Sequence, residues 1–77
     1  MIKKDLHYYL NLPYNRVVQF VKDIDGDYYL SKVTELEGCF STGKTSVEAL
    51  ENLQEAFEGY LEVKLEYNDP IPEPVSS

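Results

Sequence analysis

The fold of this chain is decided by residues 45–66, which read TSVEALENLQEAFEGYLEVKLE. Thr45, followed three residues later by Glu48, forms a capping box, in which each side chain binds a free backbone N–H of the first helical turn. Apolar residues recur at helical spacing as far as Glu66, and Pro70 then prevents further helix. We therefore predict one long helix over residues 45–66 that buries its apolar side. That apolar side comprises Val47, Leu50, Leu53, Phe57, Tyr60, Leu61 and Leu65.

The sequence before this helix predicts an antiparallel sheet. β-Branched residues over Arg16–Ile24 favour a strand, and Asp25–Gly26 indicates a hairpin because its turn needs positive φ. Tyr28–Val33 is the return strand, and Cys39–Ser41 is a short third strand. The segment Leu6–Tyr14 is typical of a short helix or an extended arm. The fold class is thus α+β, a small antiparallel sheet with one long helix packed on one face.

Length and composition limit the architecture and the cellular setting. The chain has 77 residues, 14 acidic against 7 basic side chains, and one cysteine. We expect a single domain over residues 1–77, with a core at about 14–67 and a Pro-rich tail at 68–77. So small a core, without a disulfide or zinc site, favours a homo-oligomer, either a dimer or a tetramer. The apolar stretches are too short to cross a bilayer and no signal peptide is visible, so we expect a cytoplasmic protein.

The second half of the chain carries the negative charge. Residues 35–77 hold two basic and ten acidic side chains, whereas residues 1–34 hold five and four. On the predicted helix, six glutamates fall within an arc of about 80°, which we call the acidic face. They are Glu48, Glu51, Glu55, Glu58, Glu62 and Glu66. Two interpretations stay open, a solvated face rich in a good helix former or a docking surface for a basic partner. Under the second, the first five of these glutamates are the candidate partner-binding residues.

Other motifs do not assemble a catalytic, cofactor-binding or metal-binding site. Residues 38–45, GCFSTGKT, match the phosphate-binding pattern G-x-x-x-x-G-K-[ST]. Proteins that use this pattern need a parallel sheet larger than this chain can supply, so we expect a glycine-punctuated loop entering a capped helix. We also expect a polar turn at Asp23–Asp27, a surface or packing role for His7, and a buried Cys39. An enzyme is therefore not expected.

Several short motifs together resemble those of one known family. They are YYLNLPY at residues 8–14, DGDYY at 25–29, ELEGC at 35–39, TGKT at 42–45, EALENL at 48–53 and IPEP at 71–74. In order and spacing they resemble the HicB antitoxin family over nearly the whole chain. The chain departs from that family at Glu37, where the family usually has Pro, and at Lys44, where it usually has an acid.

This resemblance implies both a fold and a function. The implied fold is a β-β-β-α-β core, a partial RNase H-like fold without the catalytic carboxylates, with the tail near Ile71–Pro74 as the candidate last strand. The implied function is to bind and inhibit a small basic HicA-type toxin, an mRNA-cleaving ribonuclease. Family members often carry a C-terminal DNA-binding domain, whereas this chain ends at Ser77, which makes operator binding doubtful. The alternative left open is a stand-alone homo-oligomeric domain with an unrelated regulatory or ligand-binding role.

Overall fold

The structure, a computed structural model, describes residues 3–74. In chain order its elements are helix α1 (Leu6–Leu10), strands β1 (Arg16–Val21), β2 (Tyr28–Val33) and β3 (Phe40–Gly43), and helix α2 (Ser46–Glu66). The strands form one antiparallel sheet in the order β1-β2-β3, and α2 packs on one of its faces. The predicted α+β fold class, with a small antiparallel sheet and one long helix, is confirmed.

Helix α2 begins at the predicted capping box. The Thr45 side chain accepts a hydrogen bond from the Glu48 backbone N–H at 3.0 Å. The Glu48 carboxylate accepts in return from the N–H of Lys44 at 3.1 Å, one residue earlier than in the usual box. The helix ends at Glu66, and Asn68, with φ of +54°, takes the left-handed conformation that commonly stops helices.

The hydrophobic core lies between α2 and the sheet. Leu53, Phe57 and Leu61, which recur every fourth residue of α2, have no exposed surface. They pack with Val33, at the end of β2, and with Leu36 in the turn that follows. The predicted apolar periodicity of α2 therefore does place its central residues in the core.

Near its N-terminus, α2 approaches β2 and β3 very closely. A Cβ built on Gly43 would lie 2.5 Å from the backbone nitrogen of Ala49. Ser31, which is fully buried, donates a hydrogen bond from Oγ to the carbonyl of Ala49 at 2.6 Å. Only small side chains fit at this contact, so Gly43 and Ala49 set the distance between the helix and the sheet.

The connection between β1 and β2 is longer than the sequence predicts. Strand β1 ends at Val21, and Ile24, predicted to lie in that strand, is instead fully exposed in the connection over residues 22–27. The Asp23 side chain accepts a hydrogen bond from the N–H of Asp25 at 3.3 Å. This local bond takes the place of a hydrogen bond between the two strands. Gly26 has the expected positive φ, at +135°. The hairpin and the positive φ of Gly26 are thus confirmed, but the hydrogen-bonded turn runs from Asp23 to Gly26, one residue earlier than predicted, and the strand end at Ile24 was wrong.

The N-terminal arm and the C-terminal tail are bound to each other. The Tyr14 hydroxyl donates a hydrogen bond to the Pro72 carbonyl at 2.6 Å. The Glu73 carboxylate accepts from the Tyr8 hydroxyl at 3.0 Å and pairs with the Lys4 ammonium at 3.0 Å. We call these contacts the clasp.

The tail does not supply the predicted last strand. Residues Ile71–Pro74 have no strand structure, because alternate prolines remove amide donors and the tail binds the arm instead. Residues 75–77 of the predicted tail lie outside the described residues. Tyr9 belongs to the hydrophobic core and Ile71 packs against it, so arm and tail both contribute beyond the 14–67 limits.

Candidate partner-binding surfaces

The acidic face lies on the solvent side of α2. Five of its six glutamates are exposed, and Glu58 is half-buried. The carboxylate of Glu48 is already bound to the helix start, whereas none of the six forms a salt bridge within residues 3–74. From Glu51 to Glu66 the helix therefore presents about four turns of uncompensated negative charge. The structure brings the predicted site residues together on one surface, with Glu48 partly committed to the cap.

Two side-chain contacts define the sides of α2. The Asn52 side-chain amide donates to the Thr42 carbonyl on β3 at 2.8 Å. On the other side, the Arg16 guanidinium on β1 donates to the Gln54 side-chain oxygen at 3.2 Å, and it also lies over the Phe57 ring, 5.2 Å from its centroid. One long side of α2 therefore faces the β3 edge of the sheet, and the other faces the β1 edge.

Four exposed apolar residues lie on the β1 side of the molecule, and we call them the β1 patch. Val17 and Phe20, on opposite faces of β1, are 40% and 52% exposed. Val47 and Leu50 precede Gln54 by seven and four residues, hence lie on its side of α2, and are 65% and 39% exposed. The predicted burial of Val47 and Leu50 is wrong, because within residues 3–74 no strand lies beyond β1 to cover them.

Residues of the phosphate-binding pattern do not form a phosphate loop. The third strand runs over Phe40–Gly43 rather than the predicted Cys39–Ser41, so the middle of the pattern is paired with β2. The N–H of Lys44 is bound to Glu48, and the Thr45 hydroxyl caps α2. The Lys44 N–H and the Thr45 hydroxyl, two groups that a phosphate loop would turn toward its ligand, are thus in use within the fold.

A cavity of about 460 Å³ opens where β2 meets the turn before β3. Its walls include Leu30, Leu36 and Phe40, with Lys32 and Glu37 as the charged side chains. No group of three or more metal-ligating side chains occurs within residues 3–74. The lining suits an apolar group of a partner rather than acid–base chemistry.

The remaining candidates occupy ordinary structural positions. Cys39 is 2% exposed, as predicted for a small buried residue, and burial raises the pKa of its thiol. His7 is exposed on α1, and the acidic residues of Asp23–Asp27 lie exposed in the β1–β2 connection. Within the described part of the chain, no helix is long and apolar enough to span a membrane.

The sequence could have indicated the β1 patch, although we did not predict it. Val17 and Phe20 are three positions apart, and side chains along a strand alternate between its two faces, so these two point to opposite faces of any strand that contains both. A strand with large apolar residues on both faces needs cover on both faces, and the sequence predicts one long helix, which can cover one face. The number of strands decides which side chains stay uncovered.

Known proteins resemble this chain over most of its length. A family model described as UPF0150-like matches residues 17–72. A UPF0150 protein of Thermoplasma acidophilum is 47% identical over 55 residues, which cover 71% of this chain and 78% of the relative. One from Synechocystis sp. is 39% identical over 59 residues, 77% of this chain and 73% of the relative. One from Archaeoglobus fulgidus is 48% identical over 48 residues, 62% of this chain and 68% of the relative. No solved structure matches the chain significantly.

Proposed function

This chain belongs to the UPF0150-like family, and we propose that it is a HicB-like antitoxin rather than an enzyme. In this role it binds a small basic HicA-type toxin and neutralises its mRNA cleavage by direct contact. The observation that carries the proposal is the acidic face, whose glutamates have no cationic partner within residues 3–74. The resemblance of the short motifs to the HicB family supports the same role.

The electrostatics of the acidic face suit inhibition of an RNA-cleaving protein. A ribonuclease must hold the phosphates of its substrate, so its substrate-binding surface is cationic. Carboxylates spaced along one helix can occupy the positions that phosphates would use, and a net charge of −7 steers a cationic partner toward the chain. The same negative charge disfavours direct binding of the chain to RNA or DNA.

The direct test is capture of the partner from the native host. With this chain as tagged bait, we expect a small basic protein to copurify, to cleave mRNA when isolated, and to lose that activity when the chain is added in equal amount. Recovery of only further copies of this chain would contradict the proposal. So would a partner that does not cleave RNA. Either result would favour the alternative, a stand-alone homo-oligomeric domain with a regulatory or ligand-binding role.

Charge reversal tests whether the acidic face contacts the toxin. We expect Glu55→Lys combined with Glu62→Lys to slow association about tenfold or more at low salt, because steering by opposite charges is lost. Glu58 is left in place because it is half-buried. Added salt should slow the unaltered chain too, since exposed charges are screened over about 8–10 Å. The measurement is the association rate by stopped flow, and circular dichroism checks that the variant still folds.

The matched control reverses two exposed acids away from α2. Asp25→Lys combined with Asp27→Lys makes the same change in net charge within the β1–β2 connection. We expect a clearly smaller effect on association, because these side chains lie outside the acidic face. Equal effects of the two pairs would show that net charge alone matters. No effect of either pair would show that the acidic face is only a solvated surface.

A further inference from the structure

The backbone of β1 is open on its outer side. The Thr34 N–H donates to the Asn15 carbonyl at 2.9 Å, next to the first pair of the β1–β2 ladder. Hydrogen-bonded and non-hydrogen-bonded pairs alternate in an antiparallel ladder, so Arg16, Val18 and Phe20 direct their N–H and C=O groups away from β2. Within residues 3–74 no strand lies beyond β1 to accept them.

Strand β1 also lacks the features that usually protect an edge strand. It is six residues long, reads RVVQFV, and contains no proline, lysine or acid. Its one charge, on Arg16, stands at the first position and is directed to Gln54 on α2. Long, uncharged edges pair with other strands unless something blocks them.

The opposite edge of the sheet is protected. Strand β3 has only four residues, including Gly43, which packs against α2. The carbonyl of Thr42 on this strand is already bound by the Asn52 side chain at 2.8 Å. Of the two sheet edges within residues 3–74, the β1 edge is therefore the more open to another strand.

The β1 patch adds apolar surface on both sides of this open edge. A strand placed beside β1 would cover Val17 on the outer face of the sheet. On the inner face, the helix that accompanies such a strand would cover Phe20, Val47 and Leu50. Exposed apolar side chains arranged around an open edge are typical of a strand-pairing interface.

We propose that two copies of this chain associate through β1, antiparallel about a two-fold axis, to form one continuous sheet. Three strands from each copy then make a six-stranded sheet with one long helix per copy on the same face. A strand that pairs antiparallel with its own copy is self-complementary, as a two-fold interface requires. This dimer does not depend on the antitoxin role.

The distribution of charge indicates that the partner that pairs with the β1 edge is a second copy of this chain. Two chains of net charge −7 repel each other unless they meet on a surface free of acids. Neither β1 nor the β1 patch contains an acidic side chain. Residues 1–34, which include β1, carry a net charge of +1, and the acidic face of α2 points to solvent. The β1 edge is thus the place where two copies can meet with least repulsion.

Side-chain pairing selects the register of the two strands. Both helices lie on the same face of the proposed sheet, so a β1 residue that faces the helix in one copy must lie opposite a residue that faces the helix in the other. Side chains alternate between faces along a strand, so even-numbered residues pair with even-numbered ones and odd with odd, and the sum of the paired residue numbers is even. Pairing centred on Gln19 places Val17 opposite Val21 of the second copy and Val18 opposite its Phe20. A shift of the centre to Val18 would place Phe20 opposite a charged Arg16. The apolar pairs favour the centre at Gln19.

A cross-link at this centre tests both the edge and the register. The two copies of Gln19 would form a non-hydrogen-bonded pair with Cα atoms about 4.5 Å apart, within the range that a disulfide spans. Under mild oxidation we therefore expect Gln19→Cys to give a covalent dimer in high yield. The unaltered chain should give none, because its cysteine, Cys39, is buried.

The matched control carries its thiol on the other edge of the sheet. Gln19, Leu30 and Thr42 form one row across the three strands, so Gln19 and Thr42 occupy equivalent positions on the two edges. Thr42→Cys should stay monomeric on a denaturing gel. Equal cross-linking of both variants, or none of Gln19→Cys, would overturn the proposal.

A second pair of variants tests the association without any cross-link. Phe20→Lys and Phe40→Lys each replace an exposed phenylalanine on an edge strand, at 52% and 58% exposure. By light scattering we expect Phe20→Lys to be a folded monomer and Phe40→Lys to stay dimeric. A monomeric unaltered chain at micromolar concentration, or a folded Phe20→Lys that remains dimeric, would contradict the proposal. If Phe20→Lys does not fold, the cross-linking result decides.

Discussion

The two edges of the sheet are held to α2 in different ways. At β3 the contact is close, with Gly43 against the Ala49 backbone and a side-chain amide of α2 bound to the Thr42 carbonyl. At β1 a side-chain hydrogen bond to Gln54 and a cation–ring contact with Phe57 both come from Arg16, at the start of the strand. The rest of β1 carries exposed apolar residues.

This difference gives the two edges of the sheet different roles, since the β3 edge stabilises the fold and the β1 edge is left free to bind another chain. Small residues let the helix settle onto β2 and β3, where shape leaves little room for change. The β1 edge, less tightly covered, keeps free backbone groups and apolar side chains that another chain can use. A domain this small therefore concentrates its packing at one edge and leaves the other for association.

The largest effect is expected where the helix and the sheet are closest. Gly43→Ala should lower the free energy of unfolding by about 3 kcal/mol, because its Cβ would clash with the Ala49 backbone and force α2 away. The measurement is urea denaturation followed by circular dichroism.

Gly59→Ala is the control, since nothing lies within 4 Å of its added Cβ. This exposed helical position should gain about 0.5–1 kcal/mol. Equal effects of the two substitutions would show that the close contact is not what stabilises the β3 edge.

An intermediate effect is expected at the chain segment that leads into β1. Tyr14→Phe keeps the ring against Phe57, 5.4 Å between centroids, but loses the hydrogen bond to Pro72. We expect a loss of about 1 kcal/mol in the free energy of unfolding. Tyr67→Phe, at an exposed tyrosine, should have almost no effect and serves as the control. A neutral Tyr14→Phe would show that the clasp does not support the β1 side.

The same substitution should change the stability at alkaline pH. Burial raises the pKa of Tyr14 to about 12, above the ordinary value near 10. The folded chain therefore holds this proton more tightly than the unfolded chain. The resulting stability is fully present below about pH 10 and is lost as the pH rises toward 12. Unfolding midpoints at several pH values should show a smaller alkaline loss for Tyr14→Phe than for the unaltered chain. Parallel curves would contradict this.

The smallest effect is expected from the side-chain contacts at the two edges. Asn52→Ala removes the hydrogen bond to Thr42 and should cost about 0.5–1 kcal/mol. Gln54→Ala removes the longer, exposed contact to Arg16 and should cost less, within about 0.5 kcal/mol. Differential scanning calorimetry can compare the two variants. A larger loss of stability from Gln54→Ala than from Asn52→Ala would show that α2 is held more strongly at the β1 edge than at the β3 edge, contrary to this prediction.

Local sequence signals predicted most of the fold. The N-cap at Thr45, the periodicity of α2 and the positive φ of Gly26 depend on neighbouring residues, and the structure contains all three. The strand end at Ile24 was wrong although its cause is also local, because the Asp23 side chain binds the Asp25 N–H and the β-branched residues of this segment do not indicate that contact. The missing strand at Ile71–Pro74 depends on contacts with the distant Tyr14.

The candidate surfaces were predictable to different degrees. The acidic face follows from helical spacing alone, and its glutamates lie where that spacing places them. The β1 patch depends on how many strands lie beneath α2, which is a property of the whole sheet. The exposure of Val47 and Leu50 therefore had to come from the structure. The same holds for the binding of Thr42 by Asn52, which joins two elements separated by a turn.

The clasp has a consequence for the order of events in folding. Each neighbouring pair of strands, and β3 with α2, can meet after closing only a short loop of chain. The hydrogen bond from Tyr14 to Pro72 joins residues 58 apart, and that from Tyr8 to Glu73 joins residues 65 apart. Contacts so distant in sequence are slow to nucleate, so we expect them to form after the sheet and helix already hold the two ends close. On this argument we expect the clasp to be the last part of the described chain to close during folding, and the first to open when the native state fluctuates.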